Sequence, residues 1–116
     1  MDERIGKWLF DVQTAIVDIE FFLEGKEQKF EIYQQDKMLK RAIERELEII
    51  GEAVNRILKK DASYSDKIRG AQNIIGLRNQ VIHAYDNISD ENIWAILINH
   101  LPKLQEDVNR LLDEAV

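Results

Sequence analysis

Arg41-Ala42-Ile43-Glu44-Arg45-Glu46-Leu47-Glu48-Ile49-Ile50-Gly51-Glu52-Ala53-Val54-Asn55-Arg56-Ile57 is the stretch on which the fold turns. Ile43, Leu47, Ile50, Val54 and Ile57 recur in steps of three and four, the spacing that stacks side chains on one face of an α-helix. Upstream, Phe30, Tyr33 and Leu39 extend the pattern less regularly. Downstream, Lys59-Lys60 set cations where the helix dipole favours them. The spacing predicts one helix over about residues 28 to 60.

Working outward, Ile5, Leu9, Val12, Ile16, Ile19 and Leu23 form a second stripe of the same kind, widened by Trp8, Ala15 and Phe22. Gly25 is its stop signal, so a first helix is expected over about residues 3 to 24. Asp61-Ala62-Ser63-Tyr64-Ser65-Asp66 reads as a loop, with Ser65 or Asp66 as cap for a helix over about residues 67 to 84. Asp86-Asn87-Ile88 breaks that helix. Ser89, followed by Asp90 and Glu91, opens another that carries Ile93, Ile96 and Leu97. Pro102 interrupts or restarts it, because proline lacks an amide donor and crowds the preceding turn. Leu104, Val108, Leu111 and Leu112 then form a final apolar face. No window alternates with period two for long enough to make a strand. The expected fold is all-α, an antiparallel four-helix bundle in one domain over residues 1–116, with the last helix split near Pro102.

Composition agrees. The 116 residues are 45% hydrophobic and 33% charged, which fits one globular core. Five glycines and one proline suit long helices with short connections. Cysteine is absent, which removes disulfides and thiolate metal sites and fits a reducing cytoplasm. No apolar run reaches the roughly 20 residues of a membrane helix, and Met1-Asp2-Glu3-Arg4 does not open a signal peptide. A net charge of -6 argues against a protein that coats nucleic acid by phosphate neutralisation. It leaves room for a local cationic site handling one phosphate.

The chemistry is carried by Gly76-Leu77-Arg78-Asn79-Gln80-Val81-Ile82-His83-Ala84-Tyr85. At about 100° per residue, Ile74, Ile75, Leu77, Val81 and Ile82 span one apolar arc, and Arg78 and Tyr85 fall inside it. A desolvated arginine needs a carboxylate or an anionic ligand. Glu44, Glu48 and Glu52, at successive i,i+4 steps, offer carboxylates, to be held by Arg78 or Arg45 or else solvated and uncoupled. Glu48 and Glu52 are the expected partners of Arg78. His83 lies roughly 140° from Arg78, on the side of Gly76, where the missing side chain lets another backbone or a ligand approach. Histidine exchanges protons near neutral pH and arginine grips a phosphate bidentately. Together they can cleave RNA without a metal, the ribose 2′-hydroxyl attacking the adjacent phosphorus while Arg78 stabilises the phosphoryl charge. On one straight helix the two do not aim at the same point, so completion of the site across a two-fold dimer is preferred.

Arg78-Asn79 followed by His83-Ala84-Tyr85 resembles the signature of the HEPN family. Arg41-Ala42-Ile43-Glu44-Arg45-Glu46, Glu48-Ile49-Ile50-Gly51-Glu52-Ala53, Ile74-Ile75-Gly76-Leu77 and Leu101-Pro102 resemble its HepT-like branch. The likeness runs from about residue 3 to 112. It implies a HEPN-like helical bundle that dimerises through its motifs. It also implies a metal-independent ribonuclease toxin paired with a minimal nucleotidyltransferase antitoxin. Carried over by position, Arg78 and His83 are the catalytic pair and Asn79 supports them. Tyr85 is the hydroxyl that the antitoxin adenylylates (AMPylation) to silence the toxin. A Pro-Trp pair common before the motif is replaced here by Tyr64-Ser65-Asp66-Lys67.

No cofactor or metal is expected, since two histidines without cysteine make a poor zinc set. The expected partners are a second copy, the nucleotidyltransferase and RNA. His100 reads as a helix-end residue, Trp8 and Trp94 as core or dimer contacts, and Lys37, Lys40 and Arg41 as a solvated face or an RNA-guiding strip. Two other functions stay open: a non-catalytic accessory or substrate subunit of a nucleotidyltransferase, for which Tyr85 matters and His83 does not, and a purely structural dimerisation domain.

Overall fold

The computed structural model describes the backbone of residues 1–83 and 89–115 and the side chains of residues 1–77 and 89–115. All regular structure among them is helical: α1 (Glu3–Leu23), α2 (Phe30–Gln35), α3 (Lys37–Lys60), a 3-10 turn (Ala62–Asp66), α4 (Ala71–His83), α5 (Asp90–Asn99) and α6 (Leu101–Glu114).

The two long stripes form the centre. Ile5, Leu9, Val12, Ile16 and Ile19 of α1 and Ile43, Leu47, Ile50, Val54 and Ile57 of α3 are all buried, as their spacing predicts. The two helices run antiparallel, since Lys60 at the end of α3 reaches Asp2 at the start of α1 (3.7 Å). Asp2 also caps α1, its Oδ1 accepting from the amides of Arg4 (2.8 Å) and Ile5 (3.3 Å). On the far side of α1 lies α6, which buries Leu104, Val108 and Leu111 and is fixed by Gln13 donating to Asn109 (2.8 Å). α4 packs on α3, and α5 lies against α6 and α2.

The single helix expected over residues 28 to 60 is two. Asp36 is extended (φ -99, ψ 92), ends α2 and caps α3, its carboxylate accepting from the Leu39 amide at 3.0 Å. Breaking there frees the short α2 to turn its apolar side inward, so that Tyr33 packs on Trp94 with ring centroids 5.5 Å apart. The helix expected from residue 67 begins at Ala71 instead. Ser65 and Asp66 belong to the 3-10 turn, and Gly70, at φ 72, supplies a left-handed step that re-aims the chain. Tyr64 is buried, with the Lys67 ammonium 4.4 Å over its ring, so a tyrosine plugs the turn where the Pro-Trp pair was missing.

The boundaries of α1, α5 and α6 match expectation, and the expected break at Asp86-Asn87-Ile88 lies outside the described residues. Ser89 caps α5, its Oγ accepting from the Asn92 amide at 3.0 Å. The split before Pro102 falls at His100, a helix-end residue as expected, and Pro102 sits in the first turn of α6 where its missing amide leaves no hydrogen bond unmade.

One buried charge positions α4. Asp107 of α6 is 1% exposed. It accepts from the Arg69 backbone amide (2.9 Å) and from Arg69 Nε (3.1 Å) and Nη2 (3.0 Å). Arg110 approaches it at 3.4 Å and also donates to the Lys67 carbonyl at 3.0 Å. Burial alone pushes the Asp107 carboxyl up. The hydrogen bonds and charge of Arg69 outweigh burial and hold it below its ordinary range. The turn that launches α4 is thereby clasped to α6.

Candidate active site

α4 brings Arg78, Asn79 and His83 onto one helix, with His83 its last residue. The helix is seated by Ala71, Ile74 and Leu77, all buried, with Ile75 half-buried beside them. Ile74, Ile75 and Leu77 are the described members of the apolar arc that the sequence predicts. The side chains of Arg78, Asn79 and His83, and the whole of Tyr85, lie outside the described residues. On the flank of Gly76, a Cβ built at that position meets nothing within 4 Å. That side of α4 is open among the described residues.

The three glutamates of α3, the helix on which α4 rests, have different surroundings. Glu52 is paired with Arg56 one turn on (2.6 Å) and Glu48 with Arg45 (3.4 Å). Both are therefore engaged within α3, Glu48 by the arginine named as an alternative to Arg78. Glu44 is half-buried; burial lifts its carboxyl above the ordinary range, with Arg41 opposing and Asp90 adding to the rise. Of the basic strip, Lys40 is bound to Asp90 at 3.2 Å, which ties α3 to the first residue of α5. Lys37 and Arg41 are exposed.

Sequence reading missed the role of Tyr33 beside this cluster. It is 1% exposed, and its hydroxyl has no hydrogen-bond partner among the described residues. Burial, then the charges of Glu44 and Asp90, push its ionisation far above the usual phenol range, so it stays protonated. A buried donor without an acceptor is destabilising. Tyr33→Phe is expected to raise unfolding free energy by about 1 kcal/mol, read from urea melts. A loss of stability would mean that the hydroxyl is satisfied by a group beyond those described.

Among the described residues, no three or more His, Asp or Glu side chains are grouped to hold a metal, and no helix is long and apolar enough to cross a membrane.

The family model for ribonuclease HepT-like proteins matches residues 12–111. The chain belongs to the HepT-like ribonuclease family. The match spans the α3 stripe, α4 with its motif and Leu101-Pro102, the segments on which the resemblance rests. Among curated relatives of this HepT-like chain, a candidate RNase of Caldanaerobacter subterraneus subsp. tengcongensis is 34% identical over 104 residues, covering 89% of this chain and 92% of that protein. Two candidate RNases of Methanocaldococcus jannaschii also match. One is 31% identical over 90% of this chain and 93% of its own. The other is 28% identical over 95% and 88%. No solved structure matches at the same level of significance.

Proposed function

We propose that this HepT-like chain is a metal-independent endoribonuclease that acts in the cytoplasm as the toxin of a toxin–antitoxin pair. Two antiparallel four-helix bundles pair through α4, and the shared face completes the site. His83 takes the proton of a ribose 2′-hydroxyl, whose oxygen attacks the adjacent phosphorus. The P–O5′ bond breaks, the 5′-oxygen gains a proton, and a 2′,3′-cyclic phosphate remains. Arg78 neutralises the charge that grows on the phosphoryl oxygens, and Asn79 orients the pair. A minimal nucleotidyltransferase silences the toxin by adenylylating Tyr85, which sets a bulky anion two residues from His83.

The observation that carries the reading is the Arg78-to-His83 motif at the C-terminal half of α4 in a chain of a ribonuclease family. The open flank at Gly76 supports pairing through α4. The net charge of -6 favours a second reading, in which the chain is a non-catalytic subunit serving a nucleotidyltransferase.

Purified chain, shown by mass spectrometry to carry an unmodified Tyr85, is to be incubated with a mixed RNA pool in EDTA. Cleavage to cyclic-phosphate ends that Arg78→Ala and His83→Ala both lose supports the nuclease. Absence of cleavage, with Tyr85 accepting AMP from the cognate nucleotidyltransferase, favours the accessory subunit.

A further inference from the structure

A groove of about 560 Å³ lies between the C-terminal half of α1, the residues that follow it and Trp94 of α5, with no described residue of α4 in its lining. Val17, Phe21 and Trp94 wall it, and Glu20, Glu24 and Glu27 rim it with Lys26; Glu27 is paired with Lys29 at 3.1 Å and Glu20 accepts from Gln105. Phe21 is 70% exposed and Val17 53%. Phe10, 58% exposed, continues the same face of α1, because steps of seven and four stay within one stripe. The stripe is about 16 Å long, three helical turns. Behind it, Trp94 is braced edge-on by Phe30 (6.3 Å) and at a tilt by Tyr33 (5.5 Å), so the floor of the groove is preformed.

Exposed phenylalanines at helical spacing beside a preformed groove mark a contact surface rather than scattered surface apolar residues. The rim decides what covers it. Glu20, Glu24 and Glu27 outnumber Lys26 and Lys29 here, so the rim is net acidic, which disfavours RNA and the like rim of a second copy. A cationic surface is attracted to it. We propose that this α1–α5 groove docks a basic amphipathic helix of a partner protein, apolar anchors entering beside Phe21 and Trp94 while lysines or arginines meet Glu20, Glu24 and Glu27. The site is separate from RNA cleavage and stands whether or not the chain is a nuclease.

The test uses the full chain carrying Trp8→Phe, so that Trp94 is the fluorescent reporter. The probe is a synthetic amphipathic peptide of about 14 residues, four helical turns, with leucines on one face and flanking lysines. A twin peptide replaces each lysine by glutamate. The basic peptide is expected to shift Trp94 emission saturably and to weaken several-fold between about 0.05 and 0.5 M salt. Phe21→Ser, at a position exposed enough to leave folding intact, is expected to weaken it about tenfold. The double change Glu20→Lys and Glu24→Lys should transfer the preference to the acidic twin. Equal binding of both peptides, or no binding to folded protein, overturns the proposal. So does a dimer that sedimentation shows dissociating on Phe21→Ser, because a second copy would then occupy the groove.

Discussion

His83→Ala is expected to lower RNA cleavage in EDTA by two to three orders of magnitude, with helicity and melting temperature unchanged. Proton transfer by a positioned histidine contributes roughly 10²- to 10⁴-fold, and no second histidine of α4 stands in for it. Arg78→Ala is expected to cost a comparable factor, about 10²- to 10³-fold, since in the proposed mechanism it removes the charge that meets the phosphoryl oxygens. Arg78→Lys separates charge from geometry. The ammonium keeps the charge but loses the planar fork, so it should recover part of the rate and not all of it. The double variant should lose little beyond either single one if the two groups act as a unit. Cleavage that survives both substitutions would sink the assignment, and equal loss with a collapsed helical spectrum would assign Arg78 a structural role instead.

The second large effect concerns stability. Asp107→Ala leaves the Arg69 backbone amide and Nε without their acceptor at a site where the carboxylate itself is 1% exposed, while Nη2 keeps its bond to Glu106 at 2.8 Å. Removing one partner of a buried pair typically costs 3–5 kcal/mol, but the Arg69 side chain is 53% exposed and water can take up part of the loss. A destabilisation of about 2–3 kcal/mol is expected, or a fall in melting temperature of about 10 °C. The pH dependence fixes the mechanism. The Asp107 carboxyl is held below its ordinary value in the folded state, so its contribution is present above the unfolded value near 3.8 and is lost as pH falls through the folded one. Glu46, like Glu44, is raised, chiefly by burial and also by Asp18, so both work in the opposite sense, losing their contribution as pH rises through the mid-acid range. Urea melts of wild type and Asp107→Asn should therefore differ most at neutral pH and converge at strongly acid pH. A difference that persists unchanged in acid would place the effect in packing rather than charge.

What could be read from the sequence, and what could not, follows from the range of the interactions. The α1 and α3 stripes are local periodicities, and every residue of the α3 stripe is buried as its spacing required. The break at Asp36 was hidden because an aspartate is an ordinary interior residue until its carboxylate finds the Leu39 amide, and no glycine or proline marks the place. The late start of α4 depends on Gly70 adopting a positive φ, which the residue permits without requiring it. Asp107 was legible in principle. It lies between Leu104 and Leu111 on the apolar face of α6, the same anomaly that singled out Arg78 on its own helix. Its partner, Arg69, stands 38 residues away, and that pairing is tertiary. The motif itself was read by resemblance rather than by geometry, since an arginine five residues before a histidine says little alone.

The seating of α4 bears on dosage. Among the described residues this helix rests mainly on α3, with its start clasped through Arg69 and the Gly76 flank uncovered. A site completed by a second such helix has an output set by the dimer population. Below the dissociation constant, that population rises as the square of the amount of chain. Low-level leakage from an uninduced gene would then be nearly harmless, whereas a few-fold rise in synthesis would be felt as a much steeper rise in RNA damage. An assembly step of this kind acts as a threshold on expression, upstream of any antitoxin.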